Sequence, residues 1–248
     1  MERESETMAD ERPARLTGNK KKKYVRGMFD NIAHRYDFLN HLLSGGIDWY
    51  WRKRTVDILQ PQDYEKVLDV ATGTGDLAFA LRTHSDAKIY GLDFSMNMLR
   101  LNKEKQQDKE EQQHQILCAD AENMPFPDNS YDIITISYGI RNVGNMESAL
   151  EELYRVLKPG GRLGVLEFSQ PENSMFKKMY YFYFRHIMPA IGYVFSGNRE
   201  AYTYLQESVS RFPSRADFSR TLEVVGFRKV QNYTMTMGIS VLYLGFKN

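Results

Sequence analysis

A chain of 248 residues with 42% hydrophobic content has enough apolar surface for one large domain, or for a core domain carrying a lobe. Its formal net charge of +1 supplies no global field to recruit nucleic acid or a charged membrane. The lone cysteine, Cys118, excludes an intramolecular disulfide and argues against a cysteine zinc site, and no His-x-x-x-His pair marks a helical metal site.

Residues 1–23 are charged and lack the apolar segment of a secretory signal, so they read as a disordered basic tail. Within it, Lys20-Lys21-Lys22-Lys23 reads as a solvated run rather than a nucleic-acid arm. From Tyr24 to Leu59 the pattern predicts two or three aromatic-rich helices, broken at Ser44-Gly45-Gly46. Strands are predicted at Lys66 to Val70, Lys88 to Leu92, Gln115 to Ala119, Ile133 to Ser137 and Arg162 to Phe168. Helices at Met96 to Lys105 and Met146 to Leu157 fall between them, and Pro159-Gly160-Gly161 turns the chain into the fifth strand. Such alternation means a parallel, doubly wound α/β sheet. After a helix at Ser214 to Val225, strands Phe227 to Thr234 and Ile239 to Phe246 are separated only by Met235 to Gly238, so they form a hairpin and one of them runs antiparallel. The longest near-apolar stretch, Met175 to Phe195, is interrupted by Lys177, Lys178, Arg185, His186 and Pro189, and the expectation is a cytoplasmic protein without a transmembrane anchor.

The first strand runs into a glycine loop, Asp69-Val70-Ala71-Thr72-Gly73-Thr74-Gly75-Asp76. Gly73 and Gly75 lack the Cβ that would hold a ligand off the backbone, and the following helix directs its N-terminal amides into the same crevice. Gly73-x-Gly75-x-x-Ala78 by itself also fits a dinucleotide fingerprint. Asp93, eighteen residues after Gly75, suits ribose hydroxyls in either case, or caps a helix, a task that Ser95 can take instead. Three features favour another nucleotide. Asp69 suits a cationic neighbour rather than a diphosphate, Asp120-Ala121-Glu122 can hold an adenine amino group, and the closing hairpin replaces a sixth parallel strand. A ligand with adenosine, a cationic centre and an amino-acid end fits: S-adenosylmethionine.

These segments together resemble a class I S-adenosylmethionine-dependent methyltransferase, a Rossmann-like seven-stranded sheet with a terminal antiparallel hairpin. Arg35-Tyr36-Asp37-Phe38-Leu39-Asn40, with Leu43-Ser44 and Trp49 to Arg52, is similar to the first signature of the menaquinone/ubiquinone C-methyltransferases. Arg155 to Gly161, running on to Leu166-Glu167-Phe168-Ser169, resembles the second. Met124 to Asp128, Ser137 to Asn142 and Tyr202-x-Tyr204-Leu205-x-Glu207-Ser208 follow the same family, over residues 24–248. Leu39 stands where the family often has Met, and Gly45-Gly46-Ile47-Asp48 where many members have a His, which removes one titratable group near the entrance. The resemblance implies cofactor contacts at Thr74, Asp93, Asp120, Ala121 and Ser137. It implies a single methyltransferase domain over 24–248, with a helical cap (24–60) and inserted aromatic lid helices (about 172–210).

The implied reaction is methylation of a ring carbon on a demethylated polyprenyl quinol, demethylmenaquinol, with the benzoquinol of the ubiquinone pathway as the alternative. An oxidised quinone is too electron-poor to attack a sulfonium methyl; the reduced quinol, above all as phenolate, can. Arg141 can stabilise a phenolate and Asn142 can orient the ring hydroxyl, with a salt bridge as the plain alternative for Arg141. Asp37 and His41 share a helix face and are candidates for proton removal, with Tyr36 as a relay; His41 could equally pack locally. Tyr180 to Phe184, Ile187, Met188, Ile191, Tyr193 and Phe195 read as a lid helix that could also admit a prenyl chain and touch a membrane through Lys177, Lys178 and Arg185, facing Phe29 and Trp49 to Trp51. No nucleic-acid partner or metal is expected, and a homodimer is left open. Rival readings are a methyltransferase for another phenol or lipid, a cofactor-binding subunit without catalysis, and a dehydrogenase.

Overall fold

The computed structural model describes residues 13–108, 113–171, 177–178, 180, 182–183 and 199–248. Helices α1 (Gly18–Ser44) and α2 (Ile47–Leu59) are followed by β1 (Lys66–Val70), α3 (Asp76–His84), β2 (Lys88–Asp93), α4 (Met96–Gln107), β3 (Gln115–Cys118) and β4 (Tyr131–Ser137). Then come α5 (Met146–Val156), β5 (Leu157–Phe168), α6 (Arg199–Arg211), α7 (Arg215–Val225), β6 (Arg228–Met235) and β7 (Ser240–Phe246).

Four of the five residues of β1 are buried, as a strand covered on both faces requires. The seven strands lie in the order β3-β2-β1-β4-β5-β7-β6. Strand β7 is the antiparallel member, pairing with both β5 and β6. The hairpin turns through Thr236–Gly238, where Met237 and Gly238 take positive φ values of 54° and 94°. One apolar layer, on Leu150, Leu153, Phe218 and Tyr243, packs against Leu68, Val70, Ile134 and Ile136. A second, on Val56, Leu59, Leu77 and Leu81, packs with Val67, Ile89 and Ile133. Each fully buried Leu contributes about 1.5–3 kcal/mol. The strand order reverses between β1 and β4, and a crevice opens at the carboxyl ends of these two strands. The glycine loop leaves β1 there, and Ser137 to Asn142 leave β4.

Helix α1 begins at Gly18, so the lysine run belongs to a helix and not to a solvated tail. Lys21 Nζ donates to the carbonyl of Arg141 at 2.9 Å, and Lys22 forms ion pairs with Asp120 and Glu122. Residues 1–12 of the expected tail lie outside the described residues. The break at Ser44-Gly45-Gly46 is an αL ending: Gly45 and Gly46 have φ of 62° and 79°, and their N–H groups return to the carbonyls of Leu42 and His41. Most of the expected lid, including 184–198, lies outside the described residues. Of its described part, Tyr180 packs on Leu39, and the Tyr183 hydroxyl donates to the Leu43 carbonyl at 2.7 Å. Among the described residues, no helix is long and apolar enough to cross a membrane.

Candidate active site

Two cavities meet at the carboxyl edge of the sheet. The smaller, of about 120 Å³, is lined by Gly73, Asp93, Asp120, Ala121 and Ser137, with α1 closing it through Lys22, Val25, Arg26 and Phe29. The larger, of about 530 Å³, is mostly apolar, with Met28, Ile32, Leu39, Leu43, Trp51 and Phe168 in its wall. Phe29, Tyr36, Tyr138 and Asn142 line both, so they form the junction between them.

In the smaller cavity, Asp93 ends β2 and fastens the glycine loop to α4. Its carboxylate accepts the N–H groups of Gly73 and Ser95, each at 2.8 Å, and burial raises its pKa against the pull of these donors. Ser95 takes the capping position of α4, accepting the Met98 N–H, and leaves Asp93 in the cavity wall. A Cβ on Gly73, whose φ is 55°, would meet nothing within 4 Å, so the backbone there is open to a ligand. Gly75 is constrained for another reason: its Cβ would lie 2.7 Å from the Asn102 side chain, so its smallness serves the packing of α4. Three carboxylates, Asp93, Asp120 and Glu122, together with apolar Phe94 and Met98, give hydrogen-bond acceptors for ribose and adenine and a flat apolar bed for the base. An adenosine fits this donor and acceptor set.

Asp69, Thr74, Gly75, Asp37 and His41 line neither cavity. Asp69 is only 1% exposed, beneath the loop. It accepts the hydroxyls of Thr72 and Thr135, both at 2.7 Å, while burial pushes its carboxyl up to about 6. Thr74 donates its hydroxyl to Asp37 at 2.5 Å, and Asp37 pairs with Lys105. Asp37 and His41 do share a helix face, but it is the face turned to the glycine loop and α2.

The larger cavity holds groups that sequence reasoning missed. Asp48 lines it and accepts Ser44 Oγ at 2.7 Å, Arg52 Nη1 at 2.5 Å and His41 Nδ1 at 2.8 Å. Burial opposes its ionisation, yet these three donors outweigh it and hold the carboxyl down at about 2. The titratable group expected to be lost with Asp48 is therefore present in space as an Asp–His pair. The i,i+4 spacing of Asp48 and Arg52 was a signal for the ion pair. Donor atoms of His41, Asp48 and Asp76 come within 4.8 Å of one another, but Arg52 binds both aspartates and Lys105 binds Asp76, which makes the cluster an ion-pair network.

Arg141 does form the salt bridge: Nη1 meets the fully buried Glu167 and donates to the Tyr138 carbonyl at 2.8 Å. The guanidinium still lines the larger cavity, 5.3 Å over the Phe168 ring, with Nε unpartnered. Asn142 Nδ2 donates to the Tyr138 carbonyl at 3.1 Å, and Asn142 Oδ1 accepts the Tyr204 hydroxyl at 3.2 Å. Tyr138 itself sits at φ 54°, a strained setting for an aromatic residue at the end of β4. Burial raises the hydroxyls of Tyr36 and Tyr138, and pushes Tyr204 up to about 12. These tyrosines are neutral hydrogen-bond donors at physiological pH.

A doubly wound sheet with an antiparallel seventh strand, and a nucleotide cavity opening through an aromatic junction into an apolar one, define the class I methyltransferase fold. A SAM-dependent methyltransferase from Thermotoga maritima, titled a possible histamine N-methyltransferase, superposes with a TM-score of 0.65 at 21% identity, covering 90% of this chain and 100% of its own, and shows the fold alone. The model of the ubiE/COQ5 methyltransferase family matches residues 17–247, and the chain belongs to that family. It is 46% identical to the ubiquinone/menaquinone biosynthesis C-methyltransferase UbiE of Geotalea daltonii, covering 90% of this chain and 96% of the relative. It is 40% identical to the demethylmenaquinone methyltransferase of Chlorobaculum tepidum, covering 94% and 96%.

Proposed function

We propose that the protein methylates a ring carbon of demethylmenaquinol, a step of menaquinone biosynthesis, with S-adenosylmethionine as methyl donor. The observation that carries this reading is the junction: the adenosine-fitting cavity opens past Tyr36, Tyr138 and Asn142 into an apolar cavity of about 530 Å³. When bound, S-adenosylmethionine supplies an electrophilic methyl on a sulfonium sulfur. The chain's residues hold and activate the acceptor ring. Asp93 and Asp120 serve the ribose and the adenine, while Asp69, Thr74 and Asp37 fix the loop without touching either ligand.

At the junction, the neutral hydroxyl of Tyr36 and the Asn142 amide orient the ring oxygen, and Arg141 stabilises negative charge developing on it. A free phenol has a pKa near 10, and the cationic guanidinium lowers the cost of ionising one beside it. Alignment of the ring carbon with the methyl supplies much of the rate. Asp48 is the carboxylate among the described residues lining the ring cavity. Ser44, Arg52 and His41 hold it ionised, with its carboxyl at about 2, so it orients His41 rather than taking the phenolic proton. The proton-removing role rests with His41, which opens to solvent. The substrate's prenyl chain sets the location: a peripheral protein at the inner face of the cell membrane. The name of the Geotalea relative supports the benzoquinol as a second acceptor ring.

The test is a transfer assay with labelled S-adenosylmethionine and a short-chain demethylmenaquinol, presented reduced and oxidised, beside a reduced benzoquinol analogue. Label entering the reduced naphthoquinol, with or without the reduced benzoquinol, and not the oxidised quinone supports the reading. Transfer to the oxidised quinone, or to none of the three, overturns it.

A further inference from the structure

The turn between α1 and α2 carries an unusual surface. From His34 to Arg54 the exposed positions are His34, Arg35, Phe38, Leu42, Gly45, Gly46, Ile47, Trp49, Tyr50, Lys53 and Arg54, every one apolar, basic, histidine or glycine. Both carboxylates in this stretch are turned inward: Asp37 onto Thr74 and Lys105, Asp48 onto Ser44, His41 and Arg52. Trp49 is 74% exposed, whereas Trp51 two residues later is 3% exposed in the cavity wall. Large apolar side chains grouped this way on a soluble surface mark a docking site. Leu42 and Ile47 are exposed and also line the ring cavity, so the patch surrounds that cavity's mouth.

We propose that the α1–α2 turn docks on an anionic lipid surface, with Trp49 and Tyr50 entering the interface and Lys53 and Arg54 meeting headgroups. The charge pattern selects this occupant over a second copy of the chain, because two such faces would bring His34, Arg35 and Arg54 against their like. The one partly exposed carboxylate beside them among the described residues, Asp57, is already paired with Lys53. Tryptophan and tyrosine suit the headgroup level, where one end of the ring is apolar and the other wet. Docking there places the cavity mouth against the bilayer, so a prenylated ring can enter without crossing water; this last step rests on the quinol reading above.

The chain has two tryptophans, which makes intrinsic fluorescence a direct reporter. The full-length protein is mixed with vesicles of phosphatidylcholine, with and without phosphatidylglycerol, in the absence of any quinol. The expected result is sedimentation with the anionic vesicles and a blue shift of emission that Trp49→Phe removes. Trp49→Ser/Tyr50→Ser should weaken vesicle binding at least tenfold, on the order of 1.4 kcal/mol, and leave turnover on a water-soluble short-chain quinol unchanged. Lys53→Glu/Arg54→Glu should abolish the preference for anionic lipid. Vesicle binding untouched by these changes, or a dimer that Trp49→Ser/Tyr50→Ser dissociates, overturns the proposal. Vesicle docking through Trp49 without methylation of any quinol would instead overturn the substrate reading alone.

Discussion

The ammonium of Lys22 lies 2.6 Å from the Asp120 carboxylate, tying the first helix to the loop after β3 across the mouth of the nucleotide cavity. The same ammonium reaches Glu122 at 2.8 Å, so α1 is latched onto the acidic pair assigned to adenine. A partly exposed ion pair of this kind contributes about 1 kcal/mol. Lys22→Ala should therefore release bound cofactor about fivefold faster. Stopped-flow displacement of S-adenosylhomocysteine reads this rate; an unchanged value would remove the latch.

Arg141 needs a paired test. Arg141→Met strands the fully buried Glu167 and should cost about 3–5 kcal/mol of stability. Arg141→Met/Glu167→Gln should recover most of that loss and remain at least tenfold slow in turnover, with cofactor affinity intact. Recovery of turnover along with stability would reduce Arg141 to a structural ion pair. Urea unfolding and steady-state kinetics on the three proteins decide it.

Asp69 should leave a signature in the pH dependence of stability. Its folded carboxyl lies at about 6, above the roughly 3.9 of an unfolded Asp. The folded state thus holds this proton more tightly, and the group's contribution is most favourable below the unfolded value. Stability from Asp69 falls as pH rises through the window between these values, by about 3 kcal/mol. Asp69→Asn should flatten the curve there, as read by denaturant unfolding at a series of pH values.

The opposite sign holds for Asp48. Its folded carboxyl lies at about 2, so its stabilisation is full above the unfolded value and is lost as pH falls toward 2. Asp48→Asn leaves buried Arg52 with only Asp76 and should cost about 3 kcal/mol at neutral pH. His41, with a side chain 43% exposed, should cost less than about 1 kcal/mol on replacement by Ala. Equal losses in the two variants would contradict this division.

The sheet was legible because period and punctuation agree along it: Val67 to Val70 runs unbroken into Gly73, and Pro159-Gly160-Gly161 marks the start of the strand that carries Glu167. Strand β5 nevertheless begins already at Leu157 and takes the expected turn in as an irregularity of its pairing with β4. The hairpin was readable from the brevity of Met235 to Gly238, but the insertion of β7 between β5 and β6 was not, since that depends on which edge closes the core. Asp93 ends β2 and Asp120 follows β3, so position alone could place them in the crevice, whereas the contacts at Ala121 and Ser137 were implied only by the family resemblance. Asp37 and Asp48 could not be sorted: the α1–α2 crossing turns one to Thr74 and the other to the ring cavity. The lysine run misled because local charge says nothing of Asp120 and Glu122, about a hundred residues away in the chain. Tyr138 stood in a quoted motif, yet its positive φ and its place at the junction exist only in three dimensions.

The central claim is that the junction directs a methyl group to ring carbon. The most direct measurement is ¹³C NMR of the product formed from S-[¹³C-methyl]adenosylmethionine and reduced demethylmenaquinol. A single labelled resonance in the aryl-methyl region, absent when the quinone is kept oxidised, is the predicted result. A methoxy resonance, or label found only in unreacted cofactor, would contradict it.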